Sequence, residues 1–129
     1  YNDGEMWRDF TYIDDLTDGI YKLISKVPTV SLDPSQPDKI VDSLSPVAPH
    51  RIVNIGNSKT VKLTDFIEAI EKALHLKAKK NFLSMQPGDV VATWADTTLL
   101  HRLTNFTPNT EVEFGVFKFM EWYCDYYQV

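Results

Sequence analysis

The side chain best suited to ligand chemistry in this sequence is Arg8, which stands directly before the aromatic and β-branched run Asp9-Phe10-Thr11-Tyr12-Ile13. A guanidinium offers rigid, paired N–H donors that match phosphate oxygens better than a flexible lysine does. Arg8 is therefore a candidate for holding a phosphorylated ligand. The alternative is an ordinary surface salt bridge, which is the commoner role of a single arginine in front of a strand.

A second motif, Gln86-Pro87-Gly88-Asp89, has the composition of a tight turn. Such a turn can bring the backbone close to a ligand, and the Asp89 carboxylate supplies two acceptors suited to ribose hydroxyls. Gln86 can donate a hydrogen bond but carries no charge. The alternative is that this segment is only a tight loop.

Other polar groups are assigned to structure rather than chemistry. Asp14 and Asp15 are adjacent, so they point in different directions at a helix start, where capping and the helix dipole explain them. No histidine spacing resembles a metal site, and Cys124 is expected to be a half-buried structural thiol. The sequence thus predicts no catalytic residue and no metal site.

Composition excludes several classes of function. The chain has 129 residues and a net charge of -5, which argues against non-specific nucleic-acid binding. No apolar run approaches the roughly 18 residues of a membrane helix, and no signal-peptide pattern is present. We therefore expect a cytoplasmic protein with no membrane or nucleic-acid partner. Lysines 77, 79 and 80 are expected to blunt a strand edge.

The elements alternate between strand and helix. Residues 9–13 read as a strand, and an apolar stripe after Asp14 or Asp15 predicts a helix that ends near Lys26. Residues 28–49 contain five prolines and read as a long loop. The second half predicts strands at 51–55 and 79–83, helices at 63–76 and from Asp96 through Leu103, a loop at 84–92, and a terminal helix after Pro108.

The terminal helix is rich in aromatic residues. With little basic charge among them they suit a core or a subunit face better than a surface for stacking bases; they are Phe114, Phe117, Phe119, Trp122, Tyr123, Tyr126 and Tyr127. The overall order is α/β, with too few strands for a complete doubly wound sheet.

The two motifs, Arg8-Asp9-Phe10-Thr11-Tyr12-Ile13-Asp14-Asp15 and Gln86-Pro87-Gly88-Asp89-Val90 followed by Thr93-Trp94-Ala95-Asp96, give the chain a family resemblance. It resembles the carboxyl-terminal half of nucleoside-diphosphate-sugar epimerases of the extended short-chain dehydrogenase family, over residues 3–127, with 28–49 the poorest match. The resemblance implies one substrate-binding lobe over residues 1–129, with a small partial sheet, about four helices and most of the Rossmann core absent.

The resemblance also implies roles. Arg8 would hold the substrate diphosphate, while Gln86 stands where the family commonly has a basic residue. Thr93 occupies a position where galactose epimerases carry a bulky tyrosine, so it would leave room for a uronic acid. Trp94 and Asp96 are assigned to packing and helix capping. The chain looks most like the UDP-glucuronate 4-epimerases of surface polysaccharide and lipopolysaccharide assembly.

The resemblance extends to parts that this chain lacks. Its five glycines are too scattered for a dinucleotide fingerprint, and no tyrosine has a lysine four residues later. NAD, an N-terminal Rossmann domain and homodimerisation are therefore expected of a full-length parent, from which this chain, starting at Tyr1 without a methionine, would be cut. Alone it is expected to be inactive. A 4,6-dehydratase or decarboxylase of the same fold, or a non-catalytic oligomerisation module, remain the alternatives.

Overall fold

A computed structural model describes residues 1–29 and 42–129, so most of the predicted 28–49 loop lies outside the described residues. A short 3-10 turn, Asn2–Gly4, precedes the first strand. The remaining elements, in chain order, are β1 (Trp7–Asp9), α1 (Ile13–Ile24), β2 (Thr60–Lys62), α2 (Leu63–Leu74), α3 (Thr98–Thr104) and α4 (Val112–Tyr127).

Strand β1 lies at the centre of the small sheet. On one side it pairs antiparallel with β2, with Arg8 opposite Val61. On the other side residues 91–93 run parallel to it, because Trp7 N–H donates to the Val91 carbonyl at 2.9 Å and Thr93 N–H donates to the Trp7 carbonyl at 3.3 Å. The first strand of the chain is therefore held between two segments that lie far along the sequence.

The apolar core lies between α2 and α4. Ala69 on α2 packs with Val116 and Met120 on α4, and all three are buried. The apolar residues of α2 recur at helical spacing, which gives one face to the core and leaves the opposite face polar. On the other side of the molecule α1 packs against α3, where Leu100 is fully buried.

Glu71 anchors the end of α2 to the segment that follows it. Its carboxylate is almost fully buried and pairs with Lys77 at 2.8 Å and with Lys80 at 2.9 Å, while Ala78 N–H donates to it at 3.0 Å. These hydrogen bonds lower the pKa of Glu71 to about 2. The expectation that the 77–80 lysines blunt a strand edge is therefore wrong, since two of them neutralise a buried carboxylate instead.

The predicted strands differ from the observed ones. The first lies at Trp7–Asp9 rather than 9–13, because both backbone partners of β1 stop at Asp9 and α1 begins at Ile13. Residues 51–55 and 79–83 are not strands, since neither has a ladder partner among the described residues. The residue pattern therefore predicted strands in two segments that do not pair into the sheet.

The first turn of α1 also differs from expectation. Its N-cap is Tyr12, without a side-chain cap, and the predicted caps Asp14 and Asp15 both lie inside the helix. Their negative charge still complements the helix dipole. The Asp15 carboxylate additionally accepts the backbone N–H groups of Asn109 and Thr110, at 3.2 and 2.9 Å, and so ties α1 to the segment before α4.

The predicted helices are confirmed, with ends shifted by a few residues, and so is the fold class of a small partial sheet with four helices. Cys124 is half-buried, as expected. The aromatic residues of α4 point largely outward, with Trp122 51% and Phe119 53% exposed, so they do not form a core within the described chain. No described helix has the length and apolar character needed to span a bilayer.

Candidate functional site

Arg8 projects from the central strand toward the turn that contains Asp89. Its Nη2 lies 3.2 Å from Asp89 Oδ1, although the two residues are 81 positions apart in the sequence. Its Nη1 donates to the carbonyl of Trp7 at 2.8 Å and to that of Val91 at 3.3 Å. Three acceptors therefore fix the direction of the guanidinium, and the two predicted ligand-binding residues meet.

The turn over residues 86–89 forms as its composition predicts. Asp89 N–H donates to the Gln86 carbonyl at 3.2 Å, and Gly88 adopts a φ of 86°. A residue with a side chain rarely adopts that conformation, which explains the glycine. The Asp89 carboxylate folds back onto the turn, where it accepts Val90 N–H at 2.9 Å. Gln86 itself is exposed, and its side chain has no partner among the described residues.

Thr93 lies on the same face of the sheet as Arg8. Successive side chains of an extended segment alternate between faces, so the parallel pairing of Trp7 with Ala92 sets Arg8 beside Thr93. Thr93 lines an open polar cavity of about 330 Å³ together with Asp9, Thr11 and Asn54. The structure thus brings Arg8 and Asp89 into contact and places Thr93 on the neighbouring segment, at a cavity that neither Arg8 nor Asp89 lines.

Asp9, which the sequence did not single out, joins the segments that form this site. Its carboxylate accepts the backbone N–H groups of Asn57 at 2.9 Å, Ser58 at 2.9 Å and Ala95 at 3.0 Å. Each of these hydrogen bonds has a charged acceptor, which makes it stronger than a neutral one. Asp9 therefore fixes the 54–58 loop and the 93–97 segment to the strand that carries Arg8.

The close approach of these segments requires a glycine at position 56. A Cβ there would lie 2.5 Å from the Ala95 Cβ and 2.9 Å from Asp9 Oδ2, distances that no side chain tolerates. The Gly56-Asn57-Ser58 sequence is the place where the loop backbone meets the carboxylate of Asp9.

A polar network continues from this loop to α3. The Ser58 hydroxyl donates to the Ala95 carbonyl at 2.9 Å and lies 2.7 Å from the Thr97 hydroxyl. Asp96 accepts both the N–H and the hydroxyl of Thr98, at 2.9 and 2.6 Å, and these bonds lower the pKa of Asp96. Asp96 therefore bonds the first residue of α3, although the N-cap position itself is Thr97 and not Asp96 as predicted. The predicted packing role of Trp94 is wrong, because its side chain is 66% exposed.

The arrangement can bind an anion, because Arg8 is a fixed cation with an acceptor beside it. Across residues 1–29 and 42–129, no group of three His, Cys, Asp or Glu side chains could hold a metal ion.

Comparison with known proteins finds close relatives among curated sequences. The chain is 47% identical over 128 residues to a probable UDP-glucuronate 4-epimerase of Rhizobium meliloti (strain 1021), matching 99% of this chain and 37% of that protein. It is 43% identical over 128 residues to protein CapI of Staphylococcus aureus, matching 99% of this chain and 38% of the relative. The chain therefore spans less than two-fifths of the length of these relatives. It matches no protein-family model.

Solved structures agree with the sequence relatives. UDP-glucuronic acid 4-epimerase from Bacillus cereus, in complex with UDP-glucuronic acid and NAD, superimposes with a TM-score of 0.68 at 26% identity, covering 95% of this chain and 34% of that one. MoeE5, in complex with UDP-glucuronic acid and NAD, gives a TM-score of 0.73 at 21% identity over 98% of this chain and 36% of its own, a likeness of fold alone.

The fold is that of the carboxyl-terminal region of extended short-chain dehydrogenase epimerases. The full-length relatives of the chain include NAD-dependent UDP-glucuronate 4-epimerases, which are isomerases. Over 99% of its own length the chain is thus similar to part of a probable UDP-glucuronate 4-epimerase.

Proposed function

We propose that this chain is the nucleotide-sugar-binding part of an NAD-dependent epimerase that interconverts UDP-glucuronate and UDP-galacturonate at C4. The observation that carries the proposal is the 3.2 Å contact that brings Arg8 to Asp89 across 81 positions of sequence. A cation and an acceptor pair at that spacing suit a diphosphate next to a ribose. The relatives named above support the choice of substrate.

Each residue then has a distinct role in binding. Arg8 holds a diphosphate oxygen and Asp89 accepts a ribose hydroxyl. Gln86, exposed on the same turn, donates a neutral hydrogen bond to the phosphate region where a basic residue would add charge. Thr93 leaves space beside Arg8 for the substituent at C6 of the sugar. Binding energy from the nucleotide would orient C4 for reaction.

The reacting groups themselves lie outside this chain. NAD, when bound to an N-terminal Rossmann domain, supplies the hydride acceptor and donor for C4. This lobe contributes grip and orientation, so alone it binds substrate without turning it over. The same proposal includes a cytoplasmic homodimeric parent that acts in surface polysaccharide or lipopolysaccharide assembly, consistent with the similarity to CapI.

Isothermal titration of the chain with UDP and UDP-glucuronate tests the proposal. Replacing Arg8 with alanine should weaken both interactions at least tenfold, since a charge-assisted hydrogen bond contributes about 1.5–3 kcal/mol. Lys59→Ala is the matched control, because it removes one positive charge from an exposed ion pair with Glu111. Thr93→Tyr should lower affinity for UDP-glucuronate while leaving that for UDP unchanged.

The outcomes are distinct. Equal affinity for UDP in Arg8→Ala and in the unsubstituted chain would contradict the phosphate role of Arg8, provided that circular dichroism shows both proteins to be folded. The exposed aromatic face of α4 favours a second candidate, a non-catalytic oligomerisation module. That candidate would be supported by association that depends on protein concentration in sedimentation experiments and does not respond to either nucleotide.

A further inference from the structure

The guanidinium of Arg8 already carries an anion, the carboxylate of Asp89. The two side chains are 28% and 32% exposed, so solvent and ligands can reach both. Only one oxygen of Asp89 faces one nitrogen of Arg8, at 3.2 Å, which is a longer and weaker arrangement than a two-bond pair. A diphosphate that binds Arg8 on the side of Nη2 that faces Asp89 must displace Asp89 from this donor.

We propose that Asp89 is a displaceable internal anion, which occupies Arg8 in the absence of nucleotide and moves to the ribose when the diphosphate takes its place. This inference rests on the proposed function, because it assigns an order to the two contacts of the same site. Binding of the diphosphate and release of Asp89 become one coupled event.

The contacts around Arg8 make such an exchange possible without moving the arginine. Nη1 stays bonded to the carbonyls of Trp7 and Val91, both on the backbone of the ladder. Loss of the single Asp89 contact therefore leaves the guanidinium in the same place. An exposed pair of this kind contributes no more than about fivefold to an equilibrium, whereas paired contacts to phosphate are stronger.

Asp89 is also placed to move a short distance and stay within reach. It follows Gly88 in an exposed turn, and a Cβ added to Gly88 would meet nothing within 4 Å. Its backbone N–H remains tied to the Gln86 carbonyl at 3.2 Å. Rotation of the side chain, which would also release Val90 N–H from Asp89 Oδ1, would therefore change its partner from Arg8 to a hydroxyl lying next to the phosphate.

Titration of inorganic pyrophosphate and of UDP into Asp89→Asn separates the possible roles of this carboxylate. Removal of a competing anion should raise affinity for pyrophosphate about two- to fivefold. Affinity for UDP should fall relative to that for pyrophosphate, because asparagine has lost the charged acceptor for the ribose. Glu121→Gln is the control, since it makes the same change of charge in an exposed pair with Lys118 on α4.

The other outcomes overturn the inference in identifiable ways. Weaker pyrophosphate binding in Asp89→Asn would mean that Asp89 orients Arg8. An unchanged affinity, or a change no larger than that in Glu121→Gln, would mean that Asp89 does not compete with pyrophosphate for Arg8. If Asp89→Asn raised the affinity for UDP as much as the affinity for pyrophosphate, Asp89 would not move to the ribose. If Arg8→Ala still weakens UDP binding, the proposed function survives any of these results. Absence of binding in every variant would overturn both proposals.

Discussion

The surroundings of β1 and the outer face of α4 differ in how many of their groups have a partner within the chain. Around β1, side chains and backbone groups from four separate segments bond to one another, with Asp9 accepting three N–H groups. Along α4, Val116 and Met120 pack inward, while Trp122 and most of its aromatic neighbours remain about half exposed. One region is closed by its own polar contacts, and the other has apolar surface on one side without a described partner.

The difference distinguishes the part of the lobe that is held by its own contacts from the part whose apolar surface is available to a partner. A cavity of about 740 Å³, lined mainly by apolar and aromatic residues, lies between residues 10–13, α2 and α4. Large exposed apolar surfaces are typical of sites that contact another protein surface. In the proposed parent, the N-terminal Rossmann half would cover such surface. The geometry of Arg8 and Asp89, by contrast, is held by contacts within the lobe.

The largest effect should come from removing the carboxylate at the centre of the closed region. Asp9→Ala leaves the N–H groups of Asn57, Ser58 and Ala95 without their acceptor, and we expect the free energy of unfolding to fall by about 3 kcal/mol. Urea denaturation followed by circular dichroism measures the change.

Asp18→Ala is the matched control for that variant. Its carboxylate forms an exposed i,i+4 pair with Lys22 at 3.5 Å, so we expect less than about 1 kcal/mol. Equal effects at the two positions would show that the region around β1 is not held together by Asp9, and the contrast between the two regions would then disappear.

A smaller effect should distinguish the two faces of α4. Met120→Ala removes a buried side chain from the α2–α4 core, and we expect a loss of about 2 kcal/mol in the free energy of unfolding. Phe117 on the outer face is 46% exposed, so Phe117→Ala should change stability by less than about 0.5 kcal/mol. Thermal or urea unfolding of the pair provides the measurement. A similar loss from both would mean that the outer face is already covered, for instance by self-association.

A separate effect should come from protonation of Glu71, a buried carboxylate at the end of α2. Its folded pKa of about 2 lies below the ordinary value of 4.5, so it stabilises the fold fully above pH 4.5. This contribution should be lost as the pH falls from 4.5 toward 2. Over that range, the free energy of unfolding should depend less on pH for Glu71→Gln than for the unsubstituted chain. An identical pH profile in both would show that the pairs with Lys77 and Lys80 do not affect stability.

Sequence reasoning found the helices and the two motifs because their signals are local. The apolar stripe of α2 and the Pro87-Gly88 turn are legible in a few consecutive residues. The motifs also identified the family. The proximity of Arg8 to Asp89 could be anticipated only through the resemblance, since nothing in the residues themselves links positions 81 apart.

The remaining features depend on tertiary contacts that a single sequence does not express. Asp9 looked like one residue of a strand, and its role depends on two distant loops that present their N–H groups to it. The burial of Glu71 likewise depends on the segment after α2, whose Lys77 and Lys80 pair with its carboxylate. The sequence did contain one indication of the Asp9 contacts. Gly56-Asn57-Ser58, which lies next to Asp9 in the fold, suits a loop that approaches another segment closely.

The position of β1 in the chain has a kinetic consequence. Its carboxylate at Asp9 bonds to partners 48, 49 and 86 residues away, whereas every helix forms from consecutive residues. Contacts of such long sequence separation form slowly, because a large loop must close before they form. During synthesis Arg8 and its neighbours leave the ribosome before residues 91–95, so one edge of β1 stays unpaired until that segment has followed. The contacts around Arg8 are therefore complete only after both partner segments of β1 have been made.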